Sequence, residues 1–228
     1  MRSHYWNDDD GDARGAACTA ADLAFALSGR AIPLDYTAVL SRAVIEKLAW
    51  FASVRSAGLR LALGVESGNG WQRDDGKGAL IYLSRRARLV LRLPLVRLED
   101  ASALSGKTLE IGGFPLTVGE PRVHSLTPSD TLYAQHVIDE TGDEDAFLDR
   151  VARAIDALGP VPPKIMCGKK RQVASPNGWL CTRSVMVAGL APRDSLALMA
   201  EGVGSGRLMG CGLFVPYKRF SALVRGAG

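Results

Sequence analysis

Residues 202–217 read Gly-Val-Gly-Ser-Gly-Arg-Leu-Met-Gly-Cys-Gly-Leu-Phe-Val-Pro-Tyr, with glycine at 202, 204, 206, 210 and 212. Glycine lacks a Cβ and reaches positive φ without strain, so such a segment can turn tightly and bring backbone N–H groups close to a ligand. What the segment connects decides its meaning. It follows a helical pattern over Asp194–Glu201 and opens the apolar stretch Leu213–Tyr217, whereas a dinucleotide fingerprint follows a strand and opens a helix. A Walker loop would end in Gly-Lys-Ser/Thr, and Gly206-Arg207-Leu208 does not supply it. Two readings stay open: a glycine-rich helix cap with a hairpin, and a loop that faces a phosphate backbone from outside the cores.

Outward from this segment, residues 131–139 alternate as a strand, and Asp143 caps a predicted helix. That helix carries Phe147, Leu148, Val151, Ile155 and Leu158 on one stripe and stops at Gly159-Pro160. Strands are predicted at 164–173 and 179–188 around the turn Ser175-Pro176-Asn177-Gly178, then a helix at 193–201 and a final strand at 212–217. The order is βαββαβ, the ferredoxin-like unit, whose helices cover one face of an antiparallel sheet and leave the other for binding.

The first half repeats the scheme less cleanly. Leu23–Leu27 reads as a strand and Asp35–Phe51 as a helix with Leu40, Val44, Leu48 and Phe51 on one face; strand material lies in 79–93. A short helix at about 98–104 precedes the strand pair Thr108–Ile111 and Phe114–Val118, and Glu66–Lys77 reads as a surface loop. The expected fold class is α+β: two tandem ferredoxin-like (βαββαβ, RRM-like) folds with a C-terminal glycine-rich loop. The expected division is a tail at 1–20, domains at 21–125 and 126–218, the latter holding the glycine-rich loop at 202–212, and a tail at 219–228.

The 228 residues are 47% hydrophobic and carry a formal charge of +4, which permits nucleic-acid binding without requiring it. No apolar run approaches a membrane span and the N-terminus lacks a signal pattern, so a cytoplasmic protein with no membrane partner is expected. Cys18, Cys167, Cys181 and Cys211 are scattered, without a C-x-x-C pair or nearby histidines, so neither a zinc site nor a disulfide scaffold is suggested. No EF-hand fits Asn7–Asp12, and the acidic run Asp139–Asp145 reads as helix capping.

The basic residues cluster. Between Leu83 and Leu95, strand alternation puts Leu89, Leu91 and Leu93 on one face and Arg86, Arg88 and Arg92 on the other. Lys169, Lys170 and Arg171 form a second cluster and Arg183 follows Trp179 by four residues. Each alone reads as a solvated sheet face; together with Gly204, Gly206 and Arg207 of the glycine segment they are the expected RNA contacts.

The segment 202–218, with Gly-Cys-Gly-Leu-Phe-Val-Pro after Asp194-Ser195-Leu196, resembles the C-terminal signature of the CRISPR-associated RNA-processing endoribonucleases of the repeat-associated mysterious protein (RAMP) superfamily, sixth Cas family, Myxan-subtype branch. The resemblance extends through Leu23–Gly29, Ser84–Pro94, Leu109–Gly119 and Cys167–Gly168. It implies a metal-independent nuclease, without a cofactor, that binds a CRISPR repeat stem-loop. In such an enzyme the 2′-hydroxyl attacks the adjacent phosphate, the product 3′ hairpin stays bound, and other effector subunits are potential partners.

Relatives of the branch carry histidine just before the first helix and again in the following loop, where this chain has Tyr36 and Arg60. By the resemblance, Tyr36 takes over proton donation or positioning and Arg60 stabilises the transition state; each also reads as ordinary packing or a surface residue. The chain has three histidines, His4, His124 and His136. They fall in the expected tail, between the domains and inside a strand, where a lone histidine reads as structural. No imidazole limb is then expected in a pH–rate profile. A noncatalytic RNA-binding subunit of a CRISPR complex is the alternative, and an unrelated RNA-binding module a more distant one.

Overall fold

Leu23 and Phe25 alternate along the first strand and are almost wholly buried, as are Leu89, Leu91 and Leu93 on its neighbour. They build the first of two cores in the computed structural model, which describes residues 19–63, 79–159 and 164–217. Its elements are β1 (Ala20–Ser28), β2 (Ala31–Pro33), α1 (Thr37–Lys47), β3 (Gly58–Ala62), β4 (Leu80–Tyr82), β5 (Arg88–Pro94), α2 (Leu98–Ser102), β6 (Thr108–Ile111) and β7 (Phe114–Ser125). The main sheet runs β3-β5-β1-β7-β6, and β2 pairs with β4 in a separate ladder.

The predicted helix 35–51 is shorter than expected. Leu48 leaves the helical region at φ −129°, ψ 75°, and a 3₁₀ turn at Ala49–Ser53 buries Phe51. Strand β3, an edge strand of five residues, was not foreseen, and neither was β2. The expected loop 66–77, Cys18, His4, Lys218 and nearly all of both expected tails lie outside the described residues.

The second half contains β8 (Thr131–Ile138), α3 (Glu144–Asp156), β9 (Lys164–Ser175), β10 (Gly178–Ala188), α4 (Pro192–Glu201) and β11 (Val215–Pro216). Its sheet runs β11-β8-β10-β9. The Asp143 carboxylate accepts from the Ala146 amide at 2.9 Å, satisfying a donor that the first turn of α3 leaves open. Phe147, Val151 and Ile155 then pack on Leu132, Ala134, Val137, Val185 and Val187. Numbering the four βαββαβ strands of each half, both sheets show the ferredoxin-like order 4-1-3-2, with β6 added at one edge of the first.

The glycine-rich segment wedges between the halves. Gly202, at φ 68°, ends α4, and Gly206 and Gly210, both left-handed, bracket a 3₁₀ turn at Arg207–Met209. The Gly212 amide donates to His136 O at 2.7 Å, stitching the segment to β8. Val203, Cys211, Leu213 and Phe214 are buried. The expectation of a loop outside the cores is therefore corrected: apolar side chains between the glycines bury themselves, and the last strand shrinks to Val215–Pro216 because 212–214 serve this packing.

Candidate functional site

Where the start of α1, strand β3, strand β8 and the 3₁₀ turn meet, they leave a cleft of about 50 Å³. Tyr36, Arg60 and His136 all line it, with Met209 and Gly210 as the wall from the glycine segment. Three distant stretches of sequence thus place a phenol, a guanidinium and an imidazole in one recess.

Each arrives for a local reason. Tyr36 is the N-cap of α1, its carbonyl accepting from the Leu40 amide at 2.8 Å. Its ring packs against the first core, and burial pushes the phenol up to about 12, so it stays protonated at neutral pH. Arg60 lies between Leu59 and Leu61 on β3 and faces away from the core they enter. It donates from Nη2 to Asp22 Oδ2 at 3.1 Å, while its Nε is buried without a hydrogen-bond partner. A buried unpaired N–H costs about 1–3 kcal/mol, which an anionic ligand within reach would recover.

His136 is positioned by a β-bulge. In the β8–β10 ladder Val137 pairs with Arg183 and Ala134 with Val185, so Gln135 and His136 together oppose Ser184. A bulge adds local twist and re-aims side chains. Here it lets Ala134 and Val137 both enter the core while Gln135 and His136 line the cleft. The His136 Nδ1 lies 3.1 Å from Thr182 Oγ1 on β10.

The expected basic contacts are sorted by the tertiary structure. Arg171 is exposed and pairs in register with Thr182, so it shares the sheet face on which Thr182 meets His136. Lys170 instead pairs with Arg183 and belongs to the opposite face; Lys169 is exposed beside a second irregularity opposite Ser184. Arg86 is exposed in the turn before β5, outside any strand, and Arg88 is half-buried, donating to the carbonyls of Arg85 and Ala87.

Arg92, Arg183 and Arg207 correct the expectation of exposed contacts. Arg92 is 2% exposed, donating to Asp22 Oδ1 at 2.7 Å and Oδ2 at 3.1 Å and to the carbonyls of Met199 and Phe214. The alternation that set Arg92 opposite Leu91 and Leu93 is right, but α4 and the glycine segment cover that face. Burial would raise the Asp22 carboxyl; Arg92 and then Arg60 outweigh it and hold the pKa below its ordinary value.

Arg183 is buried between Asp139 and Glu144, both at 2.9 Å. Burial again acts to raise Asp139, but Arg183 with the Thr141 and Gly142 donors brings it down to about 2. Arg207, also buried, donates to the carbonyls of Ser56, Ala57, Ala200 and Glu201, and burial draws its pKa down to about 10. With their donors engaged inside the protein, Arg92 and Arg207 hold the halves together, while Arg183 ties β10 to the start of α3 within the second half. Gly204 is exposed with open space around it, whereas a Cβ on Gly206 would meet Ile138 Cδ1 at 2.9 Å.

His124 is exposed on β7 opposite Asp22 and does not line the cleft. Sequence reasoning missed the place of His136, because a bulge leaves no mark in a pattern of alternation, and it missed Asp22 and Thr182. Among the described residues no group of three or more His, Cys, Asp or Glu side chains is placed to hold a metal ion, and no helix is long and apolar enough to cross a membrane.

Two 4-1-3-2 sheets joined through a buried glycine-rich segment define a tandem ferredoxin-like protein. The family described as "Cas6 Crispr" matches residues 21–219, and the chain is 32% identical over 196 residues to the CRISPR-associated endonuclease Cas6 of Myxococcus xanthus strain DK1622, covering 86% of this chain and 80% of that protein. The chain belongs to the Cas6 family. Among solved structures it is similar in fold to a Cas6-related protein from Pyrococcus furiosus, at TM-score 0.58 and 13% identity over 86% of this chain and 97% of that one. A RAMP protein described as binding different RNA substrates matches at TM-score 0.59 and 11% identity, over 87% of this chain and all of the other.

Proposed function

We propose that this chain is an endoribonuclease that binds CRISPR repeat stem-loops and cuts the precursor RNA at the cleft of Tyr36 and Arg60. Family membership supports RNA processing. The observation that carries the choice of site is the buried Arg60 Nε without a partner beside the protonated Tyr36 phenol in one recess. In the reaction the 2′-oxygen forms a bond to phosphorus as the bond to the 5′-oxygen breaks, leaving a 2′,3′-cyclic phosphate and a 5′-hydroxyl. Arg60 answers the charge growing on the phosphoryl oxygens, and Tyr36 donates its proton to the departing 5′-oxygen.

Arg171, Lys169, Arg86 and the open backbone at Gly204 are the proposed RNA contacts on the accessible surface. An A-form stem offers mainly its phosphates and shape to such groups. The two halves, 21–125 and 126–218, are proposed as the two domains that grip it, with the cleaved 3′ hairpin kept in place. Retention makes a slow, single-turnover enzyme sufficient. The experiment is incubation of the full chain with its own repeat RNA in EDTA, alongside RNA with a 2′-deoxy sugar before the scissile phosphate. Cutting of the first and not the second is expected; no cutting of the first refutes the enzyme. A noncatalytic RNA-binding subunit of an effector complex is the second reading, favoured by Tyr36 and Arg60 standing where the resemblance expects histidines, and it would then stand.

A further inference from the structure

We propose that His136, carried into the cleft by the β8 bulge, is the catalytic base that removes the 2′-hydroxyl proton, a role that rests on the endoribonuclease reading of the same cleft. A bulge that turns two successive residues, Gln135 and His136, toward a recess is a built feature. Its partner Thr182 is itself fully buried, and a hydroxyl can donate to or accept from Nδ1, so the ring keeps its orientation in either tautomer. The Gly212 amide donates to the His136 carbonyl, fixing the backbone from the side of the glycine segment.

Among the described residues, charged and titratable groups near this imidazole lie on four elements. Tyr36 faces it from the start of α1, and Arg60 from β3, with Asp22 behind Arg60 and already paired to Arg92. Arg171 of β9 shares its sheet face, separated by Thr182. The glycine segment contributes Leu208, Met209 and Gly210 and no charge to the lining. The proton balance closes: His136 takes the proton from the 2′-oxygen as the P–O bond forms, Tyr36 gives one to the 5′-oxygen as that bond breaks, and exchange with water restores both. This role replaces the sequence-based reading of His136 as a structural strand residue.

The test uses the full chain and its repeat RNA under single-turnover conditions. His136→Ala and His136→Gln should each slow cleavage by roughly 100-fold or more, with RNA affinity in filter binding changed by less than about threefold and melting temperature close to wild type. In a His4→Ala/His124→Ala variant, where His136 is the sole remaining imidazole, the rate should still rise with pH through the range where imidazole loses its proton. A flat profile across that range in this variant overturns the proposal even if the His136 variants fail to fold. Wild-type rates in folded His136→Ala overturn it while leaving the endoribonuclease reading intact. Absence of cutting by the wild-type chain removes both.

Discussion

Replacing Arg92 with Met keeps most of the side-chain volume and removes every hydrogen bond the guanidinium makes. Two of these go to Asp22, at 2.7 and 3.1 Å, and two to the carbonyls of Met199 and Phe214, at 2.9 and 2.6 Å. Asp22 would retain Arg60 alone, and two interior carbonyls would lose their donor. Removing one member of a buried ion pair costs about 3–5 kcal/mol, chiefly through the partner left uncompensated. At about 2–4 °C per kcal/mol for a chain of this size, the melting temperature should fall by about 6–20 °C.

Thermal denaturation followed by circular dichroism at pH 7 measures this, with exposed Arg86→Ala as the control, expected within about 0.5 kcal/mol of wild type. The pH dependence has a definite sign. Because the Asp22 pKa is lowered in the folded protein, its contribution is present above the ordinary carboxylate value and lost as pH falls through the folded one. The gap between wild type and Arg92→Met should therefore narrow in acid. An unchanged melting temperature combined with weakened RNA binding would refute the structural role and return Arg92 to the binding surface.

Substitutions in the glycine segment should separate folding from binding. A Cβ on Gly212 would collide with the Val203 carbonyl, so Gly212→Ala should lower the yield of folded protein or its melting temperature sharply. Gly204→Ala meets open space and suffers only from its φ of 75°, so it should cost about 1 kcal/mol in a thermal melt. On the RNA side, Arg171→Ala with Lys169→Ala should weaken binding to cognate and altered stems alike. The pair should also reduce the slope of log affinity against log salt by about one to two, because a phosphate that the protein no longer neutralises keeps its condensed counterion. An unchanged slope in filter binding would remove β9 from the interface.

Several parts of this molecule were legible in residue order alone. The stripe Phe147, Val151 and Ile155 announced α3, Asp143 announced its cap, and the paired strands around Ser175–Gly178 announced the β9–β10 hairpin; these are local matters of periodicity, capping and turn chemistry. The sequence also showed that the glycines follow a helix and precede a strand, which was enough to exclude a dinucleotide fold. Tertiary structure decided what alternation cannot express. A charge opposite a leucine faces away from one core, but only the packing of α4 and the glycine segment determines whether that direction is water or, as for Arg92, the interior. Tyr36, Arg60 and His136 meet because β3 lies at a sheet edge beside the 3₁₀ turn and one extra residue in β8 shifts a side chain's direction. Contacts between residues so far apart in the chain are set by the closing of the two sheets around the glycine segment, a long-range balance of burial and hydrogen bonding that no local pattern encodes.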